Sequence, residues 1–153
     1  MRVCNPFSDV KPKHNAMHLE YQVYEADFVN AGAASSAIKK TLKQLNVNPQ
    51  IVKRVVVALY EAEVNAIAHA YGGTIYADIE PDKITLKVVD TGPGIPDIDW
   101  AMQEGNSTAS PEVRNMGFGA GMGLPNIQKN VDKLNVQSTV GVGTTVEMEV
   151  NFT

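Results

Sequence analysis

The chain has 153 residues, 44% of them hydrophobic and 20% charged, with a formal net charge of −4 and a pI near 5.3. That length suits one domain, able to bury roughly 70% of the surface its unfolded chain exposes. The acidic balance argues against a nucleic-acid partner held by phosphate contacts, no run of about 18 apolar residues offers a membrane span, and Met1–Pro12 has no signal-peptide pattern. The single cysteine, Cys4, excludes an internal disulfide, which is consistent with a cytoplasmic protein.

Residues 1–17 are polar and aperiodic and read as an N-terminal arm. His14 and His18 are four apart, but with Cys4 they fall short of a zinc set, so surface histidines are the reading. His18–Ala26 alternates Leu19, Tyr21 and Val23 with Glu20, Gln22 and Tyr24, the period of a half-buried strand. Ala31–Leu45 carries Ala34, Ile38, Leu42 and Leu45 at helical spacing. Its Ser36-Ala37-Ile38-Lys39 imitates an acyl-transfer S-x-x-K without the companion motifs and reads as coincidence.

Asn48-Pro49 is a helix start, asparagine capping and proline at the first helical position. The helix should run to about Tyr71, and it is apolar almost all round (Ile51, Val52, Val55, Leu59, Val64, Ile67), as a buried central helix would be. Glu61 and Asn65 lie one turn apart on one face of it. A carboxylate on a buried helix needs a partner or a metal, so this pair suggests a site. The plainer reading is a solvated stripe shared with Arg54 and Glu63. Gly72-Gly73 ends the helix, and Thr74–Glu80 and Lys83–Val89 form a hairpin across Pro81-Asp82.

Two glycine clusters then bracket a long polar stretch: Asp90-Thr91-Gly92-Pro93-Gly94, directly after a strand, and Gly117 to Gly123, directly before a helix. Glycine lets backbone N–H groups approach a ligand closely, and N–H groups at a helix start favour an anion. The functional reading is a nucleotide phosphate beneath a mobile lid, and the bland one a flexible linker with helix-start glycines. No glycine precedes a lysine, and G-x-G-x-x-G fails because Met122 or Leu124 falls on the last position. P-loop and Rossmann sites are thereby demoted. Leu124–Leu134 has the spacing of a short amphipathic helix, and Val136–Val140 and Thr144–Phe152 form a last hairpin across Gly141-Val142-Gly143. The order β-α-α-β-β-α-β-β predicts an α+β two-layer sandwich over 18–153, a mixed, mainly antiparallel sheet with helices on one face.

Four motifs thus follow in one order: Glu61-x-x-x-Asn65, Asp90-x-Gly92-x-Gly94, Gly119-x-Gly121-x-Gly123 and Gly141-x-Gly143-Thr144-Thr145. This order resembles the N, G1, G2 and G3 boxes of the histidine-kinase/gyrase/chaperone-type (GHKL) ATPase superfamily, whose fold is the Bergerat type. Within it, the chain from about residue 18 to 153 is similar to the small serine/threonine kinases of the anti-sigma-factor and switch-kinase family.

The resemblance implies ATP or ADP as ligand with Mg2+, Asn65 as the magnesium ligand and Glu61 as general base. By the same resemblance Asp90 accepts a hydrogen bond from the adenine amino group while Gly92 and Gly94 turn the chain past the base. Thr144 or Thr145 helps hold that aspartate, Gly119, Gly121 and Gly123 bring N–H groups to the phosphates, and Asn106–Met116 is a lid ordered by the γ-phosphate. The implied activity is phosphorylation of a serine or threonine on an antagonist-type (anti-anti-sigma-like) regulatory protein in a partner-switching pathway. The alternative is a nucleotide-gated module that sequesters a sigma factor or other regulator with little or no transfer.

Sigma-binding members carry a Glu-Arg pair where this chain has Phe118 and Gly119, and the run from Asp90 to Pro125 is closer to the switch-kinase branch. The Glu61 helix with His69-Ala70-Tyr71 is similar to the anti-sigma branch instead. Glu63 is expected to add negative charge beside Glu61. A homodimer is left open, as is the partner's identity.

Overall fold

A computed structural model describes residues 16–69, 71–103 and 123–153. Gly119, Gly121 and the expected lid lie outside the described residues, as do Cys4, His14 and Phe118. In chain order the elements are β1 (Met17–Tyr24), α1 (Ala33–Gln44), α2 (Pro49–His69), β2 (Gly72–Ile79) and β3 (Lys83–Asp90). The short α3 (Ile98–Ala101), α4 (Gly123–Asn130), β4 (Lys133–Thr139) and β5 (Gly143–Asn151) follow. The five strands form one sheet in the order β1-β2-β3-β5-β4, and each neighbouring pair is antiparallel. The sheet expected as mixed therefore contains no parallel pair among the described residues.

Strand alternation decides what each face meets. Ile75, Ala77, Ile79, Ile84, Leu86, Val88, Val146, Met148 and Val150 share one face and are buried. Against them lie Ile38 and Leu42 of α1, Val55, Leu59 and Ala62 of α2, and Ile127 of α4, in one continuous core. Burying a Leu- or Ile-sized side chain stabilises by about 1.5–3 kcal/mol, so this two-layer contact dominates the fold. The other face of the sheet is polar. Lys87 stands opposite Glu147 there, and Glu149, only 4% exposed, takes Lys83 at 3.1 Å and Lys133 at 3.4 Å.

On that polar face His18 bonds Asp78 at 2.6 Å and Glu20 at 2.9 Å. The Glu20 bond first, then the Asp78 bond, raise the imidazole above its ordinary 6.5. A raised pKa in the folded state means stability that is present below 6.5 and lost as pH rises through the folded value. His18→Gln should accordingly flatten the fall in the urea midpoint across that window. All three groups are partly exposed, so the effect is small.

α2 starts as the sequence indicates, with the Asn48 side chain accepting from the Gln50 N–H at 2.8 Å. α1 begins differently. Its N-cap position is Gly32, whose lack of a side chain leaves the first N–H groups without a local acceptor. Glu63 of α2 supplies one: its carboxylate accepts from the N–H of Gly32 (3.0 Å), Ala34 (3.3 Å) and Ser35 (3.1 Å) and from the Ser35 hydroxyl (2.8 Å). A carboxylate at a helix N-terminus also meets the positive end of the helix dipole. Glu63, 2% exposed, thus directs its carboxylate at the start of α1, from the face of α2 turned away from Glu61.

The helix expected over Leu124–Leu134 ends at Asn130. There the Asp132 N–H donates to Glu149 O at 2.8 Å, pulling the chain into the sheet, and Leu134 pairs with Met148 as a strand residue. Leu134 fits both periods, so spacing alone extended the helix too far. Arg54 of α2 closes the helix end: its Nε donates to Asn130 O at 3.1 Å and its guanidinium pairs with Asp132 at 3.2 Å. The other Asp132 oxygen accepts the Asn151 N–H at 2.8 Å. That bond, ahead of the Arg54 contact, holds the Asp132 carboxyl below its ordinary value.

Candidate functional site

The end of β3 carries Asp90 past the last core residue of that strand, Val88, onto the same face. Its Oδ1 accepts two backbone donors, the N–H of Gly92 at 2.9 Å and of Thr144 at 3.1 Å. Among the described residues none donates to Oδ2. The carboxylate is therefore fixed through one oxygen, and the second keeps its acceptor capacity. Gly94, at φ +81°, turns the chain in a conformation that L side chains rarely adopt, and a Cβ there would stand 2.6 Å from Thr139 O. The Gly92–Gly94 turn is thus pressed against the β4–β5 connection, where Gly141 N–H also donates to Pro93 O at 2.9 Å.

Ser138 completes this corner, and sequence reasoning missed it. Its Oγ accepts the Ile95 N–H at 2.6 Å, lies 2.8 Å from the Thr144 hydroxyl and donates to Gly143 O at 3.2 Å. The available signal was a polar residue where the alternation Leu134, Val136, Ser138 calls for an apolar one. Thr144 reaches Asp90 through its backbone N–H, and its hydroxyl serves Ser138. Thr145, paired with Val89 and Gln137, falls on the opposite, polar face of the sheet.

The second half of the site is the crossing of α2 and α4. Gly123, the first residue of α4, lies directly on Asn65: a Cβ at position 123 would come within 2.8 Å of Nδ2 and 2.9 Å of Oδ1. A glycine is needed there for close approach, and alanine would push the amide aside. One turn along each helix, Asn126 Nδ2 donates to Glu61 Oε1 at 3.2 Å. Glu61, Asn65 and Asn126 are all half-buried. The solvated stripe is not formed, because Arg54 serves α4 and Glu63 is buried under α1.

No group of three or more His, Cys, Asp or Glu among the described residues could hold a metal ion. One amide oxygen, at Asn65, suits Mg2+ brought in on phosphate oxygens, since that ion takes few protein ligands and keeps waters. The first turn of α4, starting at Gly123, directs N–H groups to the same end of the crossing. The helices are not membrane spans: none among the described residues is long and apolar enough to cross a bilayer.

Residues 24–150 match the family model of the histidine kinase-like ATPase domain. The chain is 37% identical over 124 residues to the anti-sigma F factor of Caldanaerobacter subterraneus subsp. tengcongensis, covering 78% of this chain and 83% of that one. To the anti-sigma F factor of Clostridium acetobutylicum it is 32% identical over 143 residues, covering 90% and 94%. Among solved structures it is similar to the RsbU and RsbW domains of a Mycobacterium tuberculosis protein, with a TM-score of 0.59 at 16% identity over 88% of this chain and 31% of that one. The catalytic domain of the histidine kinase ThkA gives a TM-score of 0.51 at 16% identity over 88% and 95%. At such identity the two structures speak for the fold alone.

Proposed function

Since the chain belongs to the histidine kinase-like ATPase family, and within it to the anti-sigma regulatory factors, we propose that it is an ATP-dependent protein kinase. Its substrate is a serine or threonine on an antagonist-type regulatory protein of a partner-switching pathway. The observation that carries this reading is the α2–α4 crossing, where a helix start suited to phosphate meets Asn65 and Glu61.

In this reading Asp90 Oδ2 accepts from the adenine amino group while Oδ1 stays held by Gly92 and Thr144. The N–H groups at the start of α4 hold phosphate oxygens. Asn65 offers its amide oxygen to Mg2+, which when bound neutralises phosphate charge. Glu61 takes the proton of the attacking hydroxyl as the new O–P bond forms and ADP leaves with the electrons of the broken one. The names of the relatives support a sigma factor as a second partner.

The test incubates the full chain with labelled ATP and purified antagonist-domain proteins. Label on a serine or threonine of one of them is the expected result. Nucleotide-dependent capture of a sigma factor without any transfer would replace the kinase with a binding module.

Asp90→Asn should lower ATP and ADP affinity ten-fold or more, since a charged hydrogen bond is worth about 1.5–3 kcal/mol. Asparagine can keep the Gly92 and Thr144 bonds through its oxygen, which turns an NH2 donor toward the adenine amino group. Calorimetry that finds unchanged affinity in the folded variant removes Asp90 from the nucleotide site.

A further inference from the structure

Resting on the kinase reading, we propose that Asn126 is a positioning residue for the general base Glu61, tying its carboxylate to the helix that receives the phosphates. None of the four motifs includes Asn126. It lies three residues after Gly123, in the first turn of α4, and its Nδ2 donates to Glu61 Oε1 at 3.2 Å.

Three observations carry the inference. The first is which atoms meet. The amide nitrogen can only donate, so the contact suits the carboxylate form that a base requires. It occupies Oε1 and leaves Oε2 to take the incoming proton.

The second is where the bond lies. α4 touches α2 twice on one side, at Gly123 against Asn65 and at Asn126 against Glu61. These pairs are one turn apart on each helix, so the bond to Glu61 and the phosphate-facing N–H groups belong to the same rigid turn. The reach from base to phosphorus is set by that turn rather than by the free rotamers of a glutamate. The third is that Asn126 has its own anchor: its backbone oxygen accepts from Asn130 Nδ2 at 2.7 Å, and Asn130 is the residue Arg54 holds.

The test compares wild type, Asn126→Ala, Asn126→Asp and Asn126→Gln for kcat of transfer, KM for ATP, ADP affinity and thermal midpoint. Misplacing a reacting group by about an ångström costs up to roughly a hundred-fold, so a fall in kcat of about ten-fold is expected for Ala. Asp has the shape of Asn but presents oxygen to oxygen, and it should fall further than Ala. Gln keeps an amide donor and should recover most of the rate. ADP affinity should stay within about two-fold in all three, which separates positioning of Glu61 from support of the nucleotide pocket.

Unchanged kcat in Ala and Asp overturns the proposal while leaving the kinase reading in place. Losses of kcat that follow losses of ADP affinity and thermal midpoint also overturn it, by showing that Asn126 merely packs α4. Absence of transfer by the wild type removes the kinase reading and this role together.

Discussion

Glu61→Gln is expected to fold, bind ATP and ADP with wild-type affinity, and lose phosphate transfer by a factor of about 10²–10⁴, the usual cost of removing a general base. The variant is well matched to its surroundings. Glutamine has nearly the volume of glutamate, and its Oε1 can still accept from Asn126 Nδ2, so the α2–α4 contact survives. What is lost is an oxygen basic enough to take a proton. The measurement is label transfer by both proteins to the same antagonist domain, with nucleotide affinity determined in parallel. Transfer by wild type and variant alike would show that Glu61 is not an essential base, and a parallel fall in affinity would show that it holds nucleotide.

The largest effect on stability is expected at Glu63. Glu63→Ala strips α1 of the acceptor for three backbone N–H groups and one hydroxyl, in a place where water does not replace it. Each buried donor left without a partner costs about 1–3 kcal/mol, and the methylenes of the side chain leave space behind them. A loss of about 3–5 kcal/mol follows, in line with breaking one side of a buried charged contact. In a domain of this size that corresponds to a thermal midpoint lower by about 6–20 °C. Glu63→Gln keeps one acceptor oxygen and should lose about half as much. Urea unfolding of the three proteins checks the order, and an alanine variant as stable as wild type would show that Gly32 and Ser35 find other acceptors.

These two glutamates also show what could be read from the chain and what could not. Both stand on one buried helix two residues apart, and a helical wheel turns them to different sides. It does not reveal that one side meets the start of α1 and the other the start of α4. Glu61 and Asn65 were legible because their spacing places two polar groups on one face of an apolar helix. Glu63 was not, since its partners lie some thirty residues upstream at a glycine that gives no sign of needing a cap.

The strands and the order of elements were legible for a simple reason: period-two alternation and turn residues are local. The exceptions are the short α3, inside the stretch read only as polar, and the end of α4, where Val131 and Leu134 suit a helix or a strand equally and the sheet decides. Asp90 and its glycines were visible as a motif, and the resemblance offered Thr144 or Thr145 to hold the aspartate, but not which of the two or through which atom. A backbone N–H from Thr144 and the hydroxyl of Ser138 act through register, which is a property of paired strands. Asn126 is the same kind of case, an unremarked polar residue made relevant by a helix crossing.

The Arg54 contact at the far end of α4 has a mechanical consequence. Arg54 and Asp132 fasten Asn130, and with it the C-terminal end of the helix, to α2 and to the last residue of β5. Eight residues of helix are about 12 Å long, so α4 is a short lever with its pivot at that end. A tilt of roughly 10° about the pivot carries the first turn through about 2 Å, the difference between a hydrogen bond and none. Sliding along the axis is resisted by the pivot, and inward tilt by Asn65 beneath Gly123. The remaining motion of a rigid rod, an outward swing of its N-terminal end, is opposed by the Asn126–Glu61 bond and by the burial of Leu124 and Ile127.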